Sequence, residues 1–182
     1  MLTFAFYKAP GTWRDRVIRL GTRSIYSHVE FVLRRYQHNG EDRMFSVSAS
    51  KRDGHQVRKT SMVIQPGHWD FVTVEGDYAD AMMLAGSMCG LPYNTIGAVL
   101  SITPWRWPVG TGLHCSQFTG IIAGIPDPHM LCPQEFHEAI NRGLTVGDCT
   151  SGHNDTHPGG RVAAHTPRLT NPTPDKNEAI WN

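Results

Sequence analysis

The sequence predicts an α+β domain in which a small antiparallel sheet is packed against helices. Up to about residue 74, short segments alternate apolar and polar residues and are separated by turn residues, which is typical of strands. Beyond that point apolar residues recur every three or four positions, which is typical of helices. The length of 182 residues fits one domain, and a composition with 40% hydrophobic and 18% charged residues excludes a disordered chain.

The strands begin with LTFAFY, which a helix over TWRDRVIRLG follows. YSHVEFVL then alternates strictly, with His28 and Glu30 on the face opposite Val29 and Phe31. An Asn-Gly turn in RRYQHNGEDR connects this strand to MFSVSAS, and HQVRKT and WDFVTVE complete a sheet of four or five strands. If the apolar faces of the hairpin share the core, the serines of MFSVSAS lie on the same side as His28 and Glu30.

Three helices are predicted after the sheet, over DYADAMMLAGSMCG, QFTGIIAGI and CPQEFHEAINRG. The last has a proline suited to its first turn and a glycine suited to its end. The first carries an apolar stripe that is expected to face the core, which makes its cysteine a buried spectator; the stripe consists of Tyr78, Met82, Ala85 and Cys89.

The composition changes near residue 147, so we expect a domain over residues 1–146 and an extended tail over 147–182. The tail is rich in proline and glycine and lacks periodicity, so it cannot form a core of its own. We expect it to be ordered by contact with other protein chains of an assembly.

Charge is distributed unevenly along the chain although its formal sum is only +1. The first 60 residues hold 12 of the 17 Lys and Arg residues against 5 acids. Such a basic half can face phosphate, an anionic cell-wall polymer, an acidic protein or solvent. We expect no nucleic-acid partner. No apolar run is long enough for a membrane span, and the first residues lack the basic-then-apolar order of a secretory signal, so the four cysteines are expected to be reduced.

The segment GLHCSQFTGIIAG places Cys115 at the start of a predicted helix. A cysteine attacks only as the thiolate, whose pKa falls at a helix N-terminus or beside an imidazolium. His28, on the polar face of a strand, is the best-placed base, whereas His114 is expected to point away because adjacent residues at a helix start diverge. The competing interpretation is a small apolar core residue.

A third polar group normally orients the histidine by accepting its other ring proton. Glu30 shares the face of His28 and is favoured, and Ser46 or Ser48 could reach His28 from the neighbouring strand. We expect one of these three side chains to bond to a ring nitrogen of His28.

Other candidate site residues lie near the helix start. Trp105 and Trp107 in TPWRWPVG could wall a substrate cleft or anchor a partner, or simply pack over the core. Gln117 is a candidate for substrate binding, although a role as solvent-exposed or capping residue fits it better. The chain contains no C-x-x-C or H-E-x-x-H motif, so we expect neither a metal nor another cofactor.

Several segments together resemble the circularly permuted NlpC-type papain-fold hydrolases, including phage-encoded members. They are YSHVEFVL, FSVSASKRDGHQVRK, HWDFVTVE, GLPYNTIGAV and HCSQFTGIIAGIPDPHMLCPQEFHEAI, and they span about residues 1–142. The permuted branch, which includes the lecithin retinol acyltransferase group, has its histidine before its cysteine in the chain. His28 and Cys115 follow that order.

The resemblance implies a permuted papain-like fold with Cys115 as nucleophile and His28 as base. Relatives often place the third, polar residue on the strand after the histidine, where this chain has Ser46 and Ser48. The backbone N–H of Cys115 would contribute to the oxyanion hole. The implied activity is a cofactor-free thiol hydrolase that cleaves an amide bond in peptidoglycan stem peptides.

The same resemblance implies a location in the virion if the protein is phage-encoded, with action at the bacterial cell wall. Otherwise we expect a cytoplasmic protein. Two alternatives stay open: a non-catalytic virion or assembly protein that keeps the fold, and an acyltransferase or lipid hydrolase that uses the same Cys-His dyad.

Overall fold

The chain forms a five-stranded antiparallel sheet and five α-helices in the ranges that the structure describes. The structure is a computed structural model, and it describes residues 1–10, 13–22, 24–51, 54–103 and 110–143. The elements, in chain order, are β1 (Leu2–Tyr7), α1 (Trp13–Thr22), β2 (His28–His38), β3 (Glu41–Ser50), β4 (Gln56–Val63), β5 (Trp69–Val74), α2 (Tyr78–Ser87), α3 (Thr95–Leu100), α4 (Cys115–Ala123), a 3₁₀ turn (Pro128–Met130) and α5 (Pro133–Asn141). The α+β prediction is confirmed.

The sheet has the order β4-β3-β2-β1-β5, with every neighbouring pair antiparallel. The predicted hairpin of β2 and β3 turns at Asn39 and Gly40, whose φ angles of 53° and 78° suit the tight turn that Asn-Gly favours. In the register of β1 and β2, Tyr7 lies opposite His28 and Ala5 opposite Glu30. These four side chains therefore share one face of the sheet.

The other face of the sheet packs against the helices and forms the main core. Phe4, Phe6 and Phe31 are fully buried there together with Phe118 of α4 and Phe136 of α5. The ring of Phe136 meets Phe4 edge-on, with 5.0 Å between centroids, and lies 5.7 Å from Phe6. The packing of these aromatic rings fixes α4 and α5 on the sheet.

The face that carries His28 and Glu30 is buried as well. Ala5, Val32 and Met44 form a small apolar cluster there. Side chains from both edge strands pack against it, among them Met62 of β4 and Phe71 of β5. Glu30 is fully buried on this face of the sheet.

Helices α4 and α5 lie where the sequence predicts helices, with boundaries that differ by one or two residues from the predicted segments. Helix α4 ends at Gly124, whose φ of 68° is the left-handed conformation that glycine adopts without strain. Helix α5 begins at Pro133, and Cys132 before it donates its backbone N–H to Glu135 at 3.0 Å. Phe118 and Ile122 are buried as the apolar stripe of α4 requires.

The predicted core stripe of α2 is partly wrong. Ala85 is buried as predicted, but Tyr78 and Met82 are 37% and 44% exposed, and Ala81, which is not part of the stripe, is buried. Small side chains let the helix approach the core closely, while the Tyr78 hydroxyl reaches sideways to donate to the Leu33 carbonyl at 2.7 Å. Cys89 is half-buried against the core rather than fully buried.

Helix α3 was not predicted. Its six residues, TIGAVL, are too short to show helical periodicity, and the signal that starts it is the Asn94 side chain, which accepts the Gly97 N–H at 2.7 Å. Trp105, Trp107 and the tail over residues 147–182 lie outside the described residues. In the part of the chain that is described, no helix is both long and apolar enough to cross a membrane.

The aromatic core predicts a large stability difference between two substitutions. Phe136→Ala removes a fully buried ring and should lower the free energy of unfolding by about 3–5 kcal/mol. Met83→Ala, at a site that is 64% exposed, should change it by less than about 0.5 kcal/mol. Urea unfolding followed by circular dichroism measures both, and equal losses would contradict the packing described above.

Candidate active site

Cys115, His28 and Glu30 line one cleft of about 470 Å³. The cleft lies at the end of the sheet where β1 finishes and β2 begins. Its remaining walls include Tyr7, Trp69 and Tyr93. Side chains from strands and from α4 thus meet at one opening, as the sequence analysis requires for Cys115 and His28 to act together.

His114 fixes the start of α4. It is the N-cap residue, and its Nδ1 accepts the backbone N–H of Gln117 at 3.3 Å while Nε2 lies 3.4 Å from the carbonyl oxygen of His129. Nδ1 must be unprotonated to accept, so the ring is neutral. Its burial lowers the pKa of His114 to about 4, which keeps the cap in this state. Histidine as a cap is a role that the sequence analysis did not foresee.

Cys115 is therefore held as the first residue of α4, with its side chain 7% exposed. Burial by itself would raise the pKa of the thiol, but the charge of His28 and a hydrogen bond from it outweigh burial. The backbone N–H groups of Val29 and Ser116 also bond to the sulfur, so the pKa of Cys115 is lowered. Cys132 also has backbone partners at a helix start, but a carboxylate, Glu135, lies beside it instead of a histidine, and burial raises its pKa to about 11.

His28 bridges the thiol and a carboxylate. Its Nε2 lies 2.9 Å from Glu30 Oε1, which leaves Nδ1 as the ring nitrogen for Cys115. Burial by itself would lower the pKa of His28, but the negative charges of Cys115 and Glu30 outweigh it and raise the pKa to about 9. Each group therefore favours the charged form of the other, which is the thiolate for Cys115 and the imidazolium for His28.

Glu30 is the expected contact of His28, and the structure adds two partners that hold its carboxylate. Arg58 donates through Nη1 to Oε2 at 3.1 Å and through Nη2 to Oε1 at 3.0 Å, and Ser46 donates to Oε2 at 3.0 Å. Burial by itself would raise the pKa of Glu30, but His28 and Arg58 outweigh it and lower the pKa to about 2. Glu30 is an anion with no exposed surface.

The other candidate residues have different surroundings. Ser46 contacts Glu30 rather than His28, and Ser48 donates to the Val29 carbonyl at 2.7 Å, so neither orients the ring directly. Gln117 is half-buried outside the cleft lining, with its Oε1 unpartnered among the described residues.

Arg58 was missed at the sequence level. It follows Val57, a core residue of β4, and so points to the polar face, and it lies opposite Ser48 in the register of β3 and β4. Strand alternation alone could have placed Arg58 on the same face as Glu30. The register that brings the two together needs the structure.

Within the described residues no group of three or more His, Cys, Asp or Glu side chains is arranged to hold a metal ion. Comparison of the chain with protein-family models, with curated proteins and with solved structures gives no match. The reaction of the cleft is therefore inferred from its own geometry and chemistry, and the substrate class from the resemblance of the sequence segments.

The neutral cap predicts an acid-sensitive stability. The folded pKa of His114, about 4, lies below the unfolded value of 6.5, so the unfolded state binds more protons between these values and stability falls as pH falls from 6.5 to 4. The loss is roughly 3 kcal/mol. His114→Asn keeps a cap acceptor without this titration, whereas His114→Ala should cost about 1 kcal/mol at pH 7.

Urea unfolding of the natural chain and both variants at pH 7 and pH 4.5 measures these differences. The His114→Asn chain should lose clearly less stability on acidification than the natural chain. Equal acid losses in the two proteins would show that His114 is not the neutral cap.

Proposed function

We propose that the chain is a thiol hydrolase that cleaves an amide bond, with peptidoglycan stem peptides as its substrate. The observation that carries this proposal is the alignment of Cys115, His28 and Glu30 in one cleft, with the thiol pKa lowered and the histidine pKa raised. A buried core cysteine would have a raised pKa instead, as Cys132 does.

In the first step the Cys115 thiolate attacks the amide carbonyl carbon. The sulfur–carbon bond forms while the carbonyl oxygen becomes an oxyanion, for which the backbone N–H of Cys115, at the first turn of α4, is the proposed donor. The His28 imidazolium then gives its proton to the leaving nitrogen, the carbon–nitrogen bond breaks, and a thioester and a free amine result.

In the second step water replaces the amine. Neutral His28 takes a proton from water, the resulting hydroxide attacks the thioester, and the carboxylic acid leaves as the Cys115 thiolate and the imidazolium are restored. Glu30 stays ionised throughout and keeps the imidazole oriented through Nε2. The cycle needs no group besides the chain's own residues and water.

The family proposal is the circularly permuted NlpC-type papain fold. It is supported by the chain order, with His28 on a sheet strand and Cys115 on a later helix that packs on the sheet. In this proposal Glu30 takes the third position on the strand of the histidine itself, and Ser46 on the next strand supports Glu30. The proposed location is a phage virion that reaches the bacterial cell wall.

An acyltransferase or lipid hydrolase is the second candidate, because apolar side chains make up much of the cleft. Trp13, Met62 and Ile102 line it, and Trp13 is 70% exposed. A long-chain acyl group would bury such surfaces favourably. In the first step an ester would replace the amide, so that an alcohol leaves with the proton from His28. In the second step water takes the acyl group in a hydrolase, and an acceptor hydroxyl or amine takes it in an acyltransferase.

The decisive test is turnover of purified peptidoglycan, with fragments identified by mass spectrometry. The natural chain should release peptides with new carboxyl and amino ends, and Cys115→Ala should abolish release, at least 10³-fold by order of magnitude. Cys89→Ala, at a half-buried cysteine outside the cleft lining, is the matched control and should keep full activity.

A long-chain acyl ester tested on the same three proteins distinguishes the candidates. Cysteine-dependent turnover of the ester alone would favour the lipid reaction. Release of peptides that survives Cys115→Ala would refute the thiol mechanism, and no turnover of either substrate would favour the non-catalytic assembly protein.

A further inference from the structure

Arg58 completes the hydrogen bonding of Glu30, the carboxylate that His28 contacts. An ionised carboxylate offers about four lone-pair sites. In Glu30 all four are used: Oε1 accepts from His28 Nε2 and Arg58 Nη2, and Oε2 accepts from Ser46 and Arg58 Nη1. The Arg58 side chain is only 10% exposed, and that of Glu30 is 1% exposed.

We propose that Arg58 is a positioning residue, which locks the Glu30 carboxylate in the orientation that receives His28. This inference rests on the proposed function of the Cys115 and His28 pair and assigns the fourth member of that site. The planar guanidinium binds both carboxylate oxygens at once, so it fixes the rotation of the carboxylate as well as its charge.

Without Arg58, Glu30 would be a buried acid with a single cationic neighbour. Burial then favours the neutral form, and a neutral Glu30 can no longer hold the charge on His28. The thiolate of Cys115 in turn loses the imidazolium that stabilises it. Loss of Arg58 on β4 therefore raises the pH at which Cys115 on α4 ionises.

Among the described residues, the charged and titratable groups of the cleft come from four elements and two connecting segments. They are Tyr7 on β1, Glu30 and His28 on β2, Arg58 on β4, Cys115 and its capping residue His114 at α4, Lys51 after β3 and Tyr93 before α3. His114 stays neutral above about pH 4, and the pKa of Tyr93 is raised by burial and by the Cys115 charge. Between pH 5 and 9 the coupled groups are thus Glu30, His28 and Cys115.

The test is the pH dependence of alkylation by iodoacetamide, measured on the full chain at each cysteine by peptide mass spectrometry. It requires no substrate. In the natural chain the midpoint for Cys115 should lie below that of an ordinary thiol. Arg58→Met should move the midpoint up by about one pH unit, and Arg58→Lys, which keeps the charge but not the fork, should move it by less.

Two controls separate positioning from folding. Lys59→Met removes a cation from the next position of β4, where the side chain is exposed and points to the other face of the strand, so its midpoint should stay near that of the natural chain. Cys132 is buried at the start of α5, and continued protection of Cys132 from iodoacetamide shows that a variant is folded. If Arg58→Met exposes Cys132 and is therefore unfolded, the Cys115 midpoint of Arg58→Lys is compared with that of the natural chain instead, and an unchanged midpoint overturns the positioning role.

The outcomes separate this inference from the proposed function. If the Cys115 midpoint of the natural chain lies below that of an ordinary thiol and folded Arg58 variants have the same midpoint, only the positioning role of Arg58 is overturned. An ordinary thiol midpoint in the natural chain overturns the proposed function, and with it the role of Arg58.

Discussion

A carboxylate without exposed surface persists as an anion only when cations and hydrogen-bond donors replace the water it has lost. Glu30 is in this position, fully buried on the face of the sheet opposite the aromatic core. His28, Arg58 and Ser46 supply the donors, each from a different position in the register of β2, β3 and β4. Glu30 therefore stays ionised only in this strand register, because a slip of one residue would turn its side chain into the main core, away from these donors.

The charge of Glu30 influences the reacting sulfur of Cys115 through His28. The ionised carboxylate favours the imidazolium of His28, and the imidazolium favours the thiolate of Cys115. The helix adds its own contribution, because the N–H of Ser116 at the start of α4 bonds to the sulfur. His114 holds that helix start in place with a ring that burial keeps neutral. Two histidines that line the same cleft therefore differ in charge: burial favours neutral His114, and the negative charges of Cys115 and Glu30 favour protonated His28.

Sequence alone could predict the parts of the site that depend on local periodicity. Strict alternation in YSHVEFVL places His28 and Glu30 on one face, and the apolar spacing after Cys115 marks a helix start. What it could not predict depends on tertiary contacts. Arg58 reaches Glu30 through the register of two strand pairs, β2 with β3 and β3 with β4. Helix α2 buries Ala81 and Ala85 while Tyr78 and Met82 are exposed, because the shape of the core surface decides which side chains of the helix fit against it. The short helix α3 is specified by one cap residue rather than by a repeat.

The charge on His28 is the most direct measure of whether these groups act as one site. Nitrogen-15 NMR of the imidazole ring, followed from pH 5 to 10, reports its protonation without any substrate. The His28 ring should stay protonated up to about pH 9 in the natural chain, with Nε2–H bonded to Glu30, and should titrate at clearly lower pH in Glu30→Gln and in Cys115→Ala. A His28 pKa near 6.5 in all three proteins would contradict a thiolate and imidazolium pair held by Glu30.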